Sequence, residues 1–153
     1  MPPRRTQDHL GRRARREGYP ARSVYKLEEI DRRVGLFKKG QRVLDLGASP
    51  GSWTLYAAER VGPTGRVLGI DLNDPKVTLP PQAEIRTLDA FQVDPETLDG
   101  PFDLVISDMA PKTSGQRHAD QYRSYELVMR ALELTDESYE LFLVGLSFQP
   151  VTT

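Results

Sequence analysis

Short apolar runs that are followed by a carboxylate recur along the chain. The first, at residues 43–46, passes directly into a turn of glycine, serine and proline that ends at Trp53. Later runs are followed by Asp71, Asp89 and Asp108. Such continuous runs are typical of strands that are buried on both faces of a parallel sheet. The pattern predicts five strands: Arg42–Leu46, Arg66–Ile70, Glu84–Leu88, Phe102–Ser107 and Leu141–Phe148.

Segments with helical spacing separate these strands. An amphipathic helix that ends at Gly35 is predicted by apolar residues at steps of three and four, namely Val24, Leu27, Ile30 and Val34. Further helices are predicted from Trp53 to Arg60 and over residues 122–134. Alternating strands and helices predict an α/β domain with a right-handed, mostly parallel, doubly wound sheet. The ligand crevice of such a sheet lies beyond the carboxyl ends of its strands, where the glycine turn and the carboxylates are expected.

Length and composition indicate a single globular domain, because 153 residues with 38% hydrophobic content support one core. The absence of cysteine excludes disulfides, thiol nucleophiles and Cys-ligated zinc. The two histidines, His9 and His118, make a poor metal site. No run reaches the roughly 18 apolar residues that a membrane span requires. We expect a cytoplasmic monomer that binds neither a metal nor a membrane.

Positive charge is concentrated at the N-terminus. Residues 1–23 hold seven arginines against Asp8 and Glu17, a formal charge of +5 in a chain whose net charge is −1. Arginine suits phosphate because its planar fork donates two hydrogen bonds at once. The distribution predicts a flexible basic arm at residues 1–19 that contacts a polyanion such as RNA. The alternative is a disordered tail that only raises solubility.

The glycine turn and the carboxylates after it indicate a nucleoside site. Asp71 lies 20 residues after Gly51, the spacing at which a dinucleotide-type fold offers a carboxylate to ribose hydroxyls. The glycines are spaced Gly47-x-x-x-Gly51, however, and neither the pyrophosphate fingerprint nor the Walker motif is present. This pattern favours a nucleoside without a diphosphate, of which S-adenosylmethionine is the common one. Asp89 is a candidate acceptor for the adenine amine and Trp53 a candidate wall, although each aspartate alone could simply end a strand.

Two motifs carry a resemblance to a known family. One, S-x-Y-K-L-x-E-I, spans residues 23–30, and the other, S-D-M-A-P-x-x-S-G, spans residues 107–115. With the glycine turn and the segments 36–40, 69–72 and 88–91, they make residues 22–134 similar to the FtsJ/RrmJ-type RNA ribose 2'-O-methyltransferases. The resemblance implies a Rossmann-like, S-adenosylmethionine-dependent methyltransferase domain at residues 20–153 and ribosomal RNA as its partner.

The resemblance also implies a role for each candidate residue. Asp71 matches the acid that binds the cofactor ribose, and Asp89 matches the residue that binds adenine. Lys26 and Asp108 match the first two members of a Lys-Asp-Lys-Glu catalytic group, and Asp108 also contacts the cofactor. The methionine part is held by Gly47, Gly51 and Trp53. The catalytic group has to place a weakly nucleophilic ribose hydroxyl in line with the methyl group and receive its proton.

The C-terminal sequence departs from this family pattern. The family's second lysine lies in the fifth strand, in a stretch like F-V-x-K-x-F-Q-G, whereas residues 141–148 read L-F-L-V-G-L-S-F and no lysine follows Arg130. The glutamate of the group belongs to a later strand pair. We therefore expect a divergent or truncated C-terminus that lacks the last strands of the fold.

Three functions are consistent with the sequence. The first is S-adenosylmethionine-dependent methyl transfer to a ribose 2'-hydroxyl of RNA, with ribosomal RNA as the expected substrate. The second is a catalytically incomplete relative that binds cofactor or RNA, or a truncated form that needs a partner. The absent second lysine is the feature that separates these two. A small-molecule methyltransferase is the third, and the basic arm argues against it.

Overall fold

The computed structural model describes residues 3–108 and 140–143, with side chains from residue 9 to residue 108. Its helices are α1 (Pro3–Glu17), α2 (Val24–Val34) and α3 (Ser52–Val61), with a short 3-10 helix at Pro95–Thr97. Its strands are β1 (Arg42–Leu46), β2 (Arg66–Asp71), β3 (Ala83–Thr87), β4 (Leu104–Ser107) and β5 (Glu140–Leu143). Within these residues, no helix combines the length and apolar character that crossing a membrane requires.

The strands form one parallel sheet in the order β3-β2-β1-β4-β5. Strand β1 lies in the middle, with Asp45 opposite Gly69 of β2 and Ile106 of β4. The chain moves outward in one direction from β1 through β2 and β3, and then crosses to β4 on the other side. The predicted α/β, mostly parallel, doubly wound sheet is confirmed. The change of direction beside β1 creates the crevice in which ligands bind to such folds.

The predicted elements agree closely with those observed. Strand β1 has the predicted bounds, and the other strands and α3 begin or end within two residues of prediction, which is the usual uncertainty of element ends. Helix α2 ends as expected at Gly35, whose φ of 64° is the left-handed conformation that glycine adopts readily. The predicted helix at residues 122–134 and the later part of the fifth strand lie outside the described residues.

The core consists of two layers, one on each face of the sheet. Val43 and Ile106 pack against α2 and α3 on one face, together with Leu27 and Trp53. Leu44 and its neighbours in β2 and β4 pack on the other face against the segment that contains Phe102. Because side chains alternate along a strand, Asp45 faces the same side as Val43 and therefore points toward α3.

Helix α1 is a regular element where the sequence pattern indicated none. Only one small side chain, Ala14, is buried among its described residues. Polar contacts hold the rest: the Arg13 guanidinium lies 4.2 Å from the centre of the Tyr25 ring, and the Tyr25 hydroxyl donates to Glu17 at 2.8 Å. A helix attached by such contacts needs no apolar stripe. Its sequence therefore has no helical period, and the pattern of apolar residues could not predict it. The division into an arm at residues 1–19 and a domain at 20–153 stays a prediction.

Gly69, in the middle of β2, provides the space in which α3 meets the sheet. A Cβ atom at this position would lie 2.7 Å from Ala48 Cβ and 2.8 Å from Thr54 Oγ1. We expect Gly69→Ala to lower the free energy of unfolding by about 2 kcal/mol, because neighbours on both sides would have to shift. Urea unfolding followed by circular dichroism measures this difference.

Gly11→Ala is the matched control for this substitution. Gly11 lies in α1, and a Cβ atom there would have no neighbour within 4 Å. Alanine should therefore be neutral or stabilise the helix by roughly 0.5–1 kcal/mol. Equal stability of Gly69→Ala and the wild type would contradict the packing argument.

Candidate active site

The turn after β1 forms one wall of an open cleft at the carboxyl edge of the sheet. The cleft has an empty volume of about 320 Å³. Residues from separate parts of the chain line it, among them Ser23, Asp45, Gly47, Trp53 and Asp108. It lies beside β1, where the direction of strand order changes. Its position is therefore the one expected for a ligand site in this class of sheet.

Glycines give the turn its shape. Gly47 and Gly51 have φ values of 76° and 116°, in the left-handed region that other residues rarely adopt. The loop that follows β2 lies directly over Gly51, where a Cβ atom would meet Val77 Cγ1 at 2.6 Å. The Lys76 amide donates to the Pro50 carbonyl at 2.7 Å and fixes this loop to the turn. Gly51 thus permits the two loops beside the cleft to pack together.

Asp71 connects the two loops through its carboxylate. Its Oδ2 accepts a hydrogen bond from the Ser49 amide at 2.9 Å, and its Oδ1 accepts one from the Asn73 amide at 2.8 Å. Each carboxylate oxygen has a second lone pair, so both can still accept bonds from a ligand. The carboxylate is therefore fixed in orientation at the end of β2, as a residue that binds ribose hydroxyls should be.

Asp89 is the outlying member of the candidate set. It follows β3, two strands away from β1, and its Oδ1 accepts a hydrogen bond from the Phe91 amide at 2.9 Å. Its backbone carbonyl accepts from Val93 at 2.9 Å, so its hydrogen bonds lie within its own turn. Between Asp71 and Asp89 along the chain, Leu72 is an unusually exposed apolar side chain, at 66%. It provides an apolar surface next to Asp71.

Lys26 of α2 pairs with Asp108, a residue that lines the cleft. The Lys26 ammonium is 3.8 Å from Asp108 Oδ1, with 53% of the lysine side chain and 30% of the aspartate side chain exposed. A pair this exposed contributes little to stability. Burial raises the pKa of the Asp108 carboxyl, and the nearby Lys26 ammonium offsets part of that rise. Both groups remain accessible from the cleft, which suits a role in chemistry.

Hydrogen bonds join the start of the Lys26 helix to the glycine turn. The Trp53 indole donates to the Ser23 carbonyl at 3.0 Å, and Ser52 Oγ accepts from the Ala21 amide at 2.8 Å. Ser23 immediately precedes α2, while Ser52 and Trp53 form the first turn of α3. The first turns of the two helices are therefore held together beside the cleft.

Asp45 is a residue of this cleft that the sequence interpretation missed. It is 1% exposed, and its Oδ2 accepts a hydrogen bond from Thr54 Oγ1 at 2.7 Å. Burial is the main reason why the pKa of Asp45 is raised, to about 7, and the nearby carboxylates of Asp108 and Asp71 raise it further. The signal in the sequence was a charged residue inside an otherwise apolar strand.

The structure brings most of the predicted residues together. Gly47, Trp53 and Asp108 line one cleft, Lys26 pairs with Asp108, and Asp71 is bonded to the turn through Ser49. The carboxylates of Asp45, Asp71 and Asp108 lie close to one another at this edge of the sheet. The Asp45 side chain has no ion-pair partner among the described residues. A cleft with excess negative charge and a carboxylate of fixed orientation at its edge fits a nucleoside that carries a positive charge. The individual roles of these residues remain predictions.

The arrangement has counterparts among known proteins. The model of the FtsJ-like methyltransferase family matches residues 19–140. The chain belongs to the FtsJ-like methyltransferase family. Among curated relatives, the ribosomal RNA large subunit methyltransferase E of Sorangium cellulosum is 52% identical over 136 residues, which cover 88% of this chain and 64% of that protein. The protein of the same name from Oleidesulfovibrio alaskensis is 53% identical over 131 residues, covering 82% of this chain and 63% of that protein.

A solved structure has the same fold as this member of the FtsJ-like family. The crystal structure of a ribosomal RNA methyltransferase from Plasmodium falciparum superposes with a TM-score of 0.69 at 24% identity, covering 82% of this chain and 77% of that one. At this identity the likeness demonstrates the Rossmann-like methyltransferase fold alone. The chain spans less than two thirds of the length of the curated relatives just described.

Proposed function

We propose that this chain binds S-adenosylmethionine and transfers its methyl group to a ribose 2'-hydroxyl of ribosomal RNA. The observation that carries the proposal is the Lys26–Asp108 pair, with 3.8 Å between its charged atoms, on a cleft built around the glycine turn. This pair supplies what a ribose methyltransferase needs beyond a cofactor site. Membership of the FtsJ-like family and relatives named as ribosomal RNA methyltransferases support the same conclusion.

The carboxyl edge of the sheet offers contacts for each part of the cofactor. Gly47, Gly51 and Trp53 would hold the methionine part, since they form or flank the cleft wall. Asp71 would accept hydrogen bonds from the ribose hydroxyls. Asp89 would accept one from the adenine amine, and the exposed Leu72 would cover the base. When bound, S-adenosylmethionine supplies an electrophilic methyl group on a sulfonium.

Lys26 and Asp108 would act on the RNA hydroxyl. A ribose hydroxyl is a weak nucleophile, so the transfer needs a fixed orientation and stabilisation of the negative charge that develops on its oxygen. The Lys26 ammonium would donate to that oxygen and stabilise the charge. As the methyl–oxygen bond forms and the methyl–sulfur bond breaks, the hydroxyl proton would pass to the Asp108 carboxylate, which lines the cleft. The ion pair with Asp108, at 3.8 Å, would also keep the ammonium at the cleft. Both residues would be catalytic in the sense that they touch the reacting groups.

The RNA would approach from the side of α1 and α2. Arg12, Arg15 and Arg16 are exposed on α1, which packs on the helix that carries Lys26. Exposed arginines suit phosphate contacts that position an RNA without reading its bases. The arginines of the basic arm would therefore orient the RNA, and Lys26 would contact the ribose hydroxyl that is to be methylated.

Transfer of a labelled methyl group tests the proposed function. The chain is incubated with tritiated S-adenosylmethionine and large ribosomal subunits from cells that lack this modification. The expected product is ribosomal RNA that carries tritium in alkali-resistant dinucleotides, because a 2'-O-methyl group removes the hydroxyl that alkaline cleavage requires. Cofactor binding without transfer would overturn the enzymatic part and favour the catalytically incomplete relative. Label in alkali-sensitive positions would overturn the ribose assignment.

Asp71→Asn tests the cofactor site by itself. The substitution removes a charged acceptor and places an amide group where the Ser49 or Asn73 amide now donates. We expect the affinity for S-adenosylmethionine to fall by roughly 10- to 100-fold, since hydrogen bonds to charged groups contribute about 1.5–3 kcal/mol. Isothermal titration calorimetry measures the change.

Asp94→Asn is the matched control for Asp71→Asn. The Asp94 carboxylate accepts a hydrogen bond from the amide two residues later, at 3.0 Å, as Asp71 does, but it lies at the start of the 3-10 helix. It should leave cofactor affinity unchanged. Equal affinities for the two variants would remove Asp71 from the site.

A further inference from the structure

The Asp45 carboxylate is buried in a way that is costly for an acid. It lines the cleft at 1% exposure, and a neutral hydroxyl, Thr54 Oγ1, donates to it at 2.7 Å. Gly69 lies opposite it in β2 and gives Thr54 the space to make that bond. A buried carboxylate with only a neutral partner loses much of its hydration energy without a compensating charge. A residue of this kind inside a binding cleft suggests that a ligand supplies the charge.

Among the described residues, the charged groups that face Asp45 do not supply a positive charge. Asp108 at the end of β4 and Asp71 at the end of β2 both raise the pKa of Asp45, because each is a like charge. Helix α3 contributes Thr54, whose hydrogen bond to the Asp45 carboxylate lowers the pKa of Asp45. Lys26 of α2 pairs with Asp108 instead. The described surroundings of Asp45 therefore add negative charge to the cleft.

We propose that Asp45 is the residue that distinguishes the positively charged methyl donor from the neutral product S-adenosylhomocysteine. This inference rests on the proposed function. Donor and product both carry the ammonium of the methionine part, but only the donor has a second positive charge, on its sulfonium. In a site of low dielectric the attraction between this charge and the Asp45 carboxylate is much stronger than in water. The product carries no charge on sulfur. After transfer, Asp45 no longer has the sulfonium as a partner, so the extra affinity that its charge gives to the donor is lost for the product.

Calorimetric titration over a range of pH tests the inference. In the protein without ligand, the pKa of Asp45 is raised to about 7. The charged fraction of Asp45 therefore rises between pH 5.5 and pH 7.5. We expect the affinity of the chain for S-adenosylmethionine to increase by up to about 20-fold over this range, because only the charged form binds the donor well. The affinity for S-adenosylhomocysteine should change by less than about threefold.

Asp45→Asn separates the carboxylate from other titrating groups, including the amine of the ligand. In this variant the affinity for S-adenosylmethionine at pH 7.5 should fall by about 10- to 20-fold, while product affinity stays nearly constant. The part of the pH dependence that Asp45 causes should disappear. Glu96→Gln, at an exposed carboxylate outside the cleft, is the control and should behave as the wild type. The same pH profile in Asp45→Asn and wild type would overturn the inference. Failure of both ligands to bind at any pH would instead overturn the proposed function.

Thr54→Val provides a second variant with a distinct signature. Removing the hydroxyl takes away the hydrogen bond that lowers the pKa of Asp45. The midpoint of the donor's pH dependence should therefore move to higher pH. A purely structural role of this region would weaken donor and product equally without moving the midpoint, and that result would contradict the inference.

Discussion

We expect Lys26→Met to lower the rate constant of methyl transfer by about 10²- to 10⁴-fold, the range typical for a positioned group that handles charge or protons in the transition state. Methionine retains most of the length of the side chain but removes the ammonium that lies 3.8 Å from Asp108. The affinity for S-adenosylmethionine should stay within about threefold of wild type, because Lys26 is not one of the residues that line the cleft beside the glycine turn. Single-turnover transfer to ribosomal subunits, with calorimetry for the cofactor, measures the two effects separately.

Two further lysine variants make this expectation specific. Lys38→Met removes an exposed lysine between α2 and β1 and should leave the transfer rate unchanged. Lys26→Arg keeps the positive charge but changes its shape and reach, so it should recover only part of the rate. If Lys26→Met and Lys38→Met transferred equally fast, Lys26 would have no part in catalysis.

We expect the wild-type protein to lose stability as the pH rises from about 4 to about 7, because of the buried Asp45 carboxyl. Burial raises the pKa of Asp45 from 3.8 to about 7, so in this range the folded state holds a proton that the unfolded state has released. The free energy of unfolding therefore falls with increasing pH and levels off above about pH 7. The total loss is about 4 kcal/mol at most, from three pKa units at about 1.4 kcal/mol each.

Asp45→Asn should be insensitive to pH over the same range, apart from the contributions of other groups. Asparagine has a carbonyl oxygen that can accept from Thr54 and carries no charge. We expect the variant to match the wild type near pH 4.5 and to be more stable at pH 8. Chemical unfolding at both pH values, with Glu96→Gln as the control, provides the comparison. An equal slope in Asp45→Asn and wild type would mean that Asp45 is not the responsible group.

Local pattern was sufficient to predict the sheet. Residues 43–46 of β1 are an apolar run interrupted only by Asp45, and helix α2 has a regular apolar spacing with a glycine at its end, so burial and local geometry coincide in the sequence. Helix α1 was missed for the opposite reason. It is attached by the Arg13–Tyr25 contact and a single buried alanine, and contacts of that kind have no period along the chain.

The site was predictable only in part. Strand ends placed Asp71 and Asp108 at one edge, but the approach of Lys26 to Asp108 joins residues 82 positions apart, and only the family resemblance indicated it. Asp45 was overlooked because its importance depends on surroundings that no local pattern records: Gly69 opposite it and Thr54 beside it. The sequence shows that residue 45 is an aspartate, but it does not show whether the carboxyl group is charged in the folded protein.

The bond between the Trp53 indole and the Ser23 carbonyl has a consequence for how this fold can vary. Trp53 lines the cleft that is proposed to hold the methyl donor, and Ser23 immediately precedes the helix that carries Lys26, the residue proposed to contact the acceptor. Under the proposed function, the separation between donor and acceptor would therefore be set by this contact between the first turns of two helices. Loops elsewhere in the chain could then change in length and sequence without altering the distance over which the methyl group would move.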